Sequence, residues 1–288
     1  MVSTLIDQND RFLGILDRLS SKSVEDYYNP YKLFEWPDSL SEDMWWMSPE
    51  LTTTHGTAAA ERLTDKQLHA LSRHESLNFY SLNVHGIREL LIDVTRRIHT
   101  KGFETPSEFF HHFIGEENEH MWFFAEFCLR YGKIYRQPGG ISAEAPRPDV
   151  ESLLVFTRIL IFEELVDHFN SKMALDERLD DTIRAINRIH HQDESRHIAF
   201  GRELVSVLFA EVRRTSTEQE LDDIAAYVKR YMTYSFETLY NPQVYRDAGI
   251  EKPQELRREL LESPARAEFE RSVFRKTAKY LEKTGIIR

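Results

Sequence analysis

Apolar residues in this chain recur at helical spacing through almost every long segment, and no stretch sustains the alternation of a half-buried strand. Glycine and proline are scarce, at 11 and 10, so those present act as punctuation. Residues 1–23 predict a short amphipathic helix. Residues 24–60, with Pro30, Pro37, Pro49, Gly56 and the Trp36, Trp45 and Trp46 cluster, predict an irregular aromatic arm over the main body. Thr64 and Gln67 form a capping-box pattern opening a helix to about residue 100, before Gly102. Thr105-Pro106-Ser107-Glu108 opens a second helix, to about Tyr131. A Gly- and Pro-rich loop over 132–148 precedes a third helix from Asp149 to about Leu175. A fourth follows the acidic connection 176–181 and runs to about Arg214. Beyond it the pattern predicts a helix over 218–240, a break at Asn241-Pro242, and a last helix over 253–285. The expectation is one all-α domain: a bundle core over about 64–214, an N-terminal arm over 1–60 and C-terminal helices over 218–288.

Two of these helices carry the same motif. Glu117-Asn118-Glu119-His120 and Glu194-Ser195-Arg196-His197 each read Glu-x-x-His. Positions three apart share a helix face, so each motif aims a carboxylate and an imidazole at one point. Two such helices, with one glutamate from each of two more, supply the ligands of a carboxylate-bridged di-iron or di-manganese centre inside a four-helix bundle.

Residues equally far from a tight loop lie at one level of an antiparallel pair, which tests the upstream glutamates. Glu163 and Glu194 have their midpoint at 178–179, inside the acidic connection. Glu89 and Glu117 have theirs at 103, between Gly102 and Pro106. The rival Glu75 has its midpoint with Glu117 at 96, still inside the first bundle helix, which puts it roughly 20 Å off level. Glu89 is therefore preferred to Glu75, with a surface glutamate paired to Arg96 or Arg97 as the alternative.

Burial patterns agree. Glu163 shares its face with Phe156, Ile159, Leu160 and Val166, where an unpaired carboxylate costs several kcal/mol. Glu117 lies among Phe110, Phe113, Met121 and Phe124. His190, four residues before Glu194, falls on the face of Glu194 and His197 and is a candidate third imidazole. Asp193 is placed to accept a hydrogen bond from a metal-bound imidazole on the facing helix and so orient it, with Glu116 at the equivalent position of the first motif. Phe113, Phe124, Phe156, Leu160 and Phe200 are candidate pocket walls, and Arg158 and Arg196 candidate holders of a substrate carboxylate.

Composition narrows the chemistry. Cys128 is the only cysteine, so a disulfide within the chain, an iron–sulfur cluster and a thiolate zinc site are excluded. Nitrogen and oxygen ligands suit iron or manganese. The net charge of −11 without a basic stripe argues against nucleic acid. The apolar run 153–169 contains Arg158, Glu163, Glu164, Asp167 and His168 and is no membrane span, and the N-terminus has no signal-peptide pattern, so a cytoplasmic protein is expected.

The paired motifs resemble those of ferritin-like di-iron oxygenases, and the run His190-x-x-x-Glu194-x-x-His197, with Glu163 upstream, resembles the p-aminobenzoate N-oxygenase family over roughly residues 60–215. That resemblance implies a ferritin-like four-helix bundle with additional N- and C-terminal helices. It implies two iron ions, manganese being an alternative, held by Glu89, Glu117, His120, Glu163, His190, Glu194 and His197. It further implies O₂ activation with electrons from a ferredoxin or flavin reductase, and oxidation of a small amine to a hydroxylamine or nitro compound. C–H hydroxylation or desaturation of a small or carrier-bound substrate is the alternative on the same scaffold. A ribonucleotide reductase small subunit is disfavoured by Phe124 at the position of its radical tyrosine, and an acyl-carrier desaturase by the third histidine. A non-catalytic iron-storage bundle gives no reason for Glu163 in an apolar run. A homodimer remains open.

Overall fold

The computed structural model describes residues 9–142, 145 and 147–288, and these are all-α apart from one isolated bridge between Trp45 and Leu179. Helix α1 (Asp10–Glu25) is capped by Asn9, whose side chain accepts from the Phe12 amide; the part of the predicted first helix over 1–8 lies outside the described residues. Short turns at Pro30–Leu33, Pro49–Leu51 and Ala58–Glu61 make up the arm. The bundle follows as α2 (Asp65–Thr95), α3 (Ser107–Tyr131), α4 (Pro148–Met173) and α5 (Asp181–Thr215). Thr64 and Gln67 close a reciprocal capping box on α2, whereas α3 begins after Pro106 without a capping side chain.

Ring and packing contacts fix the directions. Ser81 of α2 meets Cys128 of α3, so these two are antiparallel. Phe110 near the start of α3 stacks on Phe156 near the start of α4 at 5.7 Å, so α3 and α4 run the same way. Asn170 meets His190, and Gly201 meets Leu160, which sets α5 antiparallel to α4. The segment between α3 and α4 must therefore return along the bundle, the single long crossover of ferritin-like folds. Tyr135 pins it: its amide donates to Ser81 Oγ at 2.8 Å and its hydroxyl to Asp247 at 2.8 Å.

After the bundle come α6 (Glu218–Glu237), α7 (Pro242–Asp247), α8 (Pro253–Leu261), α9 (Pro264–Val273) and α10 (Arg275–Thr284). The single last helix expected over 253–285 is thus three. Pro264 lacks the amide proton that would continue α8 and instead sits in the first turn of α9, and Phe274 separates α9 from α10. One continuous hydrophobic core runs from Phe12 to Ile287, joining arm, bundle and C-terminal helices. Among the described residues, no helix is long and apolar enough to cross a membrane.

Candidate metal centre

Near mid-bundle the polar residues turn inward. Glu117 and His120 of α3 and Glu194 and His197 of α5 are buried, and one ligand atom from each falls within 4.8 Å of all the others. The i,i+3 spacing does this on both helices, and the antiparallel packing of α3 on α5 brings the two pairs face to face. His197 Nδ1 stands 2.7 Å from Glu117 Oε1, and His190 Nε2 stands 2.8 Å from Glu194 Oε1. Glu163 approaches from α4, itself buried.

What these atoms lack is decisive. Both oxygens of Glu117, both of Glu194, Glu163 Oε1, His120 Nδ1, His190 Nε2 and His197 Nδ1 are buried without a hydrogen bond. The close approaches have the length of ion pairs but not the direction of hydrogen bonds. A buried polar atom left unsatisfied costs about 1–3 kcal/mol, more for a charged group. So many converging on one point match a metal cage, with carboxylates suited to bridging and imidazoles to terminal positions.

The opposite ring nitrogens are all engaged. His120 Nε2 lies 3.0 Å from Asp193 Oδ2 on α5, and His197 Nε2 lies 2.7 Å from Glu116 Oε2 on α3. His190 Nδ1 meets the Asn170 amide. Each Nδ1 of His120 and His197, and Nε2 of His190, is thereby turned toward the cluster, as metal-bound imidazoles require. Arg196 ties the outer carboxylates together, reaching Asp193 at 2.7 Å, Glu116 at 2.8 Å and Asp26 at 3.2 Å. Tyr28 completes the layer by donating to Asp193 Oδ2 at 2.9 Å.

The electrostatics ask for cations. Burial and the neighbouring Glu117 charge push the Glu194 carboxyl up. Burial would lower His120, but the Glu117 and Asp193 carboxylates outweigh it and hold the imidazole up at about 10. Burial, helped by His120, holds His190 well below the usual histidine range and leaves it neutral, with a lone pair free on Nε2. Protons are serving where divalent ions would neutralise the carboxylates, and the residues present fit two iron or manganese ions.

Glu89 departs from expectation. Its side chain is 56% exposed and pairs with Arg88 at 3.3 Å and with Gln137 at 3.4 Å, outside the cluster. The loop-midpoint argument fixes height along the bundle but not direction around the helix, and Glu89 points away from the axis. Glu75 is buried but committed elsewhere: its carboxylate accepts the Thr53 amide at 3.1 and 3.0 Å and the Thr53 hydroxyl. Arg196 is likewise used within the protein, and Arg158 pairs with Asp93 at 3.2 Å.

Two cavities flank the centre. The inner one, of about 10 Å³, has Phe113, Phe156, Leu160 and Phe200 among its walls, with Glu163 and His197 at its edge. Phe124 lines neither cavity; it stacks on Tyr80 and meets the His190 ring edge-on. The outer cavity, of about 250 Å³, opens between α2, α4 and α6, with Phe162, Val166 and Leu90 inside and Arg158, Asp93 and Glu89 at its polar margin. Ile159 is a wall of both.

Comparison with known families agrees with this site. The family model described as P-aminobenzoate N-oxygenase AurF matches residues 12–285. The chain belongs to that family. It is accordingly a di-metal oxidoreductase. No curated protein sequence matches it. Among solved structures, two variants of an R2-like ligand-binding oxidase with aerobically reconstituted Mn/Fe cofactor superpose with TM-scores of 0.54 and 0.53. Each is 12% identical, over 98% of this chain and 95% of theirs. A third variant, anaerobically reconstituted, gives 0.52 at 13% identity, over 95% of this chain and 93% of that one. At such identity the likeness shows the ferritin-like fold and no more.

The outer layer of Arg196, Asp26 and Tyr28 escaped the sequence reading as a unit. Nothing in local spacing announces that residues 26 and 28 in the arm will reach Asp193 and Arg196.

Proposed function

We propose that this N-oxygenase family member uses two iron ions, or manganese in their place, to activate O₂ and oxidise the nitrogen of a small organic amine. The observation that carries the reading is the convergence of buried, unpaired carboxylate oxygens and imidazole nitrogens from Glu117, His120, Glu163, His190, Glu194 and His197. The metal pair would supply the electrons that reduce O₂, and would itself be re-reduced by an external donor of ferredoxin or flavin-reductase type.

The chain's own residues do the rest. Asp193 and Glu116 hold the His120 and His197 rings by their Nε2 protons, so the liganding nitrogens stay aimed inward. The phenyl rings of Phe110, Phe113, Phe156 and Phe200 keep bulk water from the inner cavity, which protects a reactive oxidant from quenching. That cavity is only about large enough for one water. A substrate is accommodated in the outer cavity, whose mainly apolar interior and charged margin suit an amphipathic molecule with a polar group at one end. Ile159 and Phe162 stand between the two and must give way for a substrate nitrogen to reach the centre. A cytoplasmic setting accords with the ligand chemistry and single cysteine, and a homodimer is part of the reading to be tested by its mass in solution.

The deciding experiment loads the protein anaerobically with ferrous iron, reduces it and adds O₂. About two irons per chain and a transient visible band, absent from Glu163→Ala and His197→Ala, are expected, followed by turnover of arylamines to hydroxylamine or nitro products. Oxidation at carbon alone would move the reading to a hydroxylase or desaturase. No stoichiometric metal would overturn it.

A further inference from the structure

With Glu75 and Glu89 occupied elsewhere, α2 offers no carboxylate to the centre, yet it is not silent there. Its most deeply buried stripe runs through Ser76, Tyr80, Asn83, Ile87 and Val94, the line that faces the bundle axis. Asn83 is 0% exposed. Its Nδ2 donates back to the Phe79 carbonyl at 2.9 Å, while its Oδ1 has no partner. An orphaned amide oxygen on a bundle axis calls for an explanation.

Register gives one. Phe79 stacks on Phe169, and a Cβ at Gly86 would meet the Phe162 ring, so position 83 of α2 stands opposite about 165 of α4. That is about half a turn from Glu163. On its other side, the Tyr80 hydroxyl accepts from Asn187 of α5, and the Tyr80 ring stacks on Phe124, which packs on His190. Asn83 is one turn along the same stripe from Tyr80, toward the level of Glu194. It therefore stands within about one turn of Glu163 and His190, on the stripe that faces the axis where Glu89 does not, and it also borders the outer cavity.

We propose that Asn83 is the α2 ligand of the metal centre, through its amide oxygen, so that one metal position is held by a neutral donor where a fourth carboxylate would otherwise stand. The inference rests on the di-metal reading above. Amide oxygens ligate hard divalent ions but bring no charge. Three carboxylates then leave one positive charge of two divalent ions uncompensated. The ion beside Asn83, on the side of Glu163 and His190, then has a neutral donor where a carboxylate would stand, and it binds more weakly than the other.

The test is a Mn²⁺ titration of the metal-free protein, following the free-ion electron paramagnetic resonance signal. Wild type is expected to take two ions with separable affinities. Asn83→Leu should weaken the second ion at least about tenfold, the scale seen when partners of metal ligands are removed, and leave the first unchanged. Asn83→Asp should tighten the second by a similar factor, and it carries the test if the Leu variant fails to fold by circular dichroism. Two ions bound by both variants with wild-type affinities would overturn the role of Asn83 while leaving the di-metal reading intact. A wild type that takes up no ion would instead sink the reading beneath it.

Discussion

His120 on α3 and Asp193 on α5 meet at 3.0 Å through the imidazole Nε2 and one carboxylate oxygen, and the pair His197–Glu116 repeats the contact in the reverse direction at 2.7 Å. Each Glu-x-x-His helix thus supplies the carboxylate that orients the other helix's imidazole. The residue immediately before each motif glutamate does this, which ties the two motifs into one reciprocal unit. Arg196 bonds to both carboxylates and Tyr28 to Asp193 as well, and the His120 bond and charge hold the Asp193 carboxyl at about 2 against burial.

Asp193→Asn should therefore lower metal affinity about 10–100-fold, because an amide in the unfavourable tautomer-setting role no longer fixes His120 Nδ1 toward the metal. Glu116→Gln should act likewise through His197. The two share Arg196, so their effects should not add. Competitive titration against a chelator of known affinity measures both single variants and the double variant. Wild-type affinity in both single variants would remove the orienting role.

Gly86 of α2 has no room for a side chain: a Cβ there would stand 2.4 Å from the Phe162 Cζ. Phe162 also lines the outer cavity, so its ring has somewhere to go. Gly86→Ala is expected to displace the ring into that cavity, costing about 1–3 kcal/mol as overpacking does. Substrate KM should rise more than kcat falls. Phe162→Leu in the same chain should restore stability. A Gly86→Ala protein with unchanged melting and KM would show that the close packing carries no consequence.

Metal should also stabilise the fold. Glu117, Glu163 and Glu194 are all buried, and the ion-pair contacts of Glu117 and Glu194 are to imidazoles. An ion at a thousand times its dissociation constant adds about 4 kcal/mol to unfolding free energy. For a chain of this size that is roughly 10 °C in Tm, at about 2–4 °C per kcal/mol. Glu194→Gln should raise the Tm of the metal-free protein, because burial and the Glu117 charge disfavour its ionised form, and lose most of the metal-induced rise. Calorimetry with and without chelator distinguishes these. Equal Tm in both conditions for wild type would mean that the cluster does not bind metal under them.

The sequence made the motif helices legible because i,i+3 geometry is local: once α3 and α5 are helices, Glu117 and His120 must share a face, as must Glu194 and His197. Glu163 was legible because a carboxylate inside 153–169 has few other reasons to be there. Height along the bundle could be computed from loop midpoints, but direction around α2 could not, and Glu89 shows the difference. The face of α2 is set by which stripe its neighbours bury, a tertiary fact. Arg196 and Tyr28 were illegible for the same reason, as their partners lie up to 170 residues away. The broken C-terminal helix was legible in principle, since Pro264 marks the break directly.

Glu75 yields a prediction with a sign. Burial raises its carboxyl from 4.5 to about 7, and the bonds from Thr53 only partly oppose this. In the unfolded chain it ionises near the ordinary value. Between pH 4.5 and 7 the unfolded state therefore binds fewer protons than the native one, so stability falls as pH rises through that window and levels off above it. The loss is on the order of 3 kcal/mol at about 1.4 kcal/mol per pH unit of displacement. Glu75→Gln keeps an acceptor for the Thr53 amide but cannot ionise. The difference in unfolding free energy, mutant minus wild type, should grow in the mutant's favour from pH 5 to pH 7 and then stay constant. Urea unfolding at several pH values measures it. A difference independent of pH would mean that Glu75 is ionised in the folded protein throughout, with the Thr53 contacts strong enough to outweigh its burial.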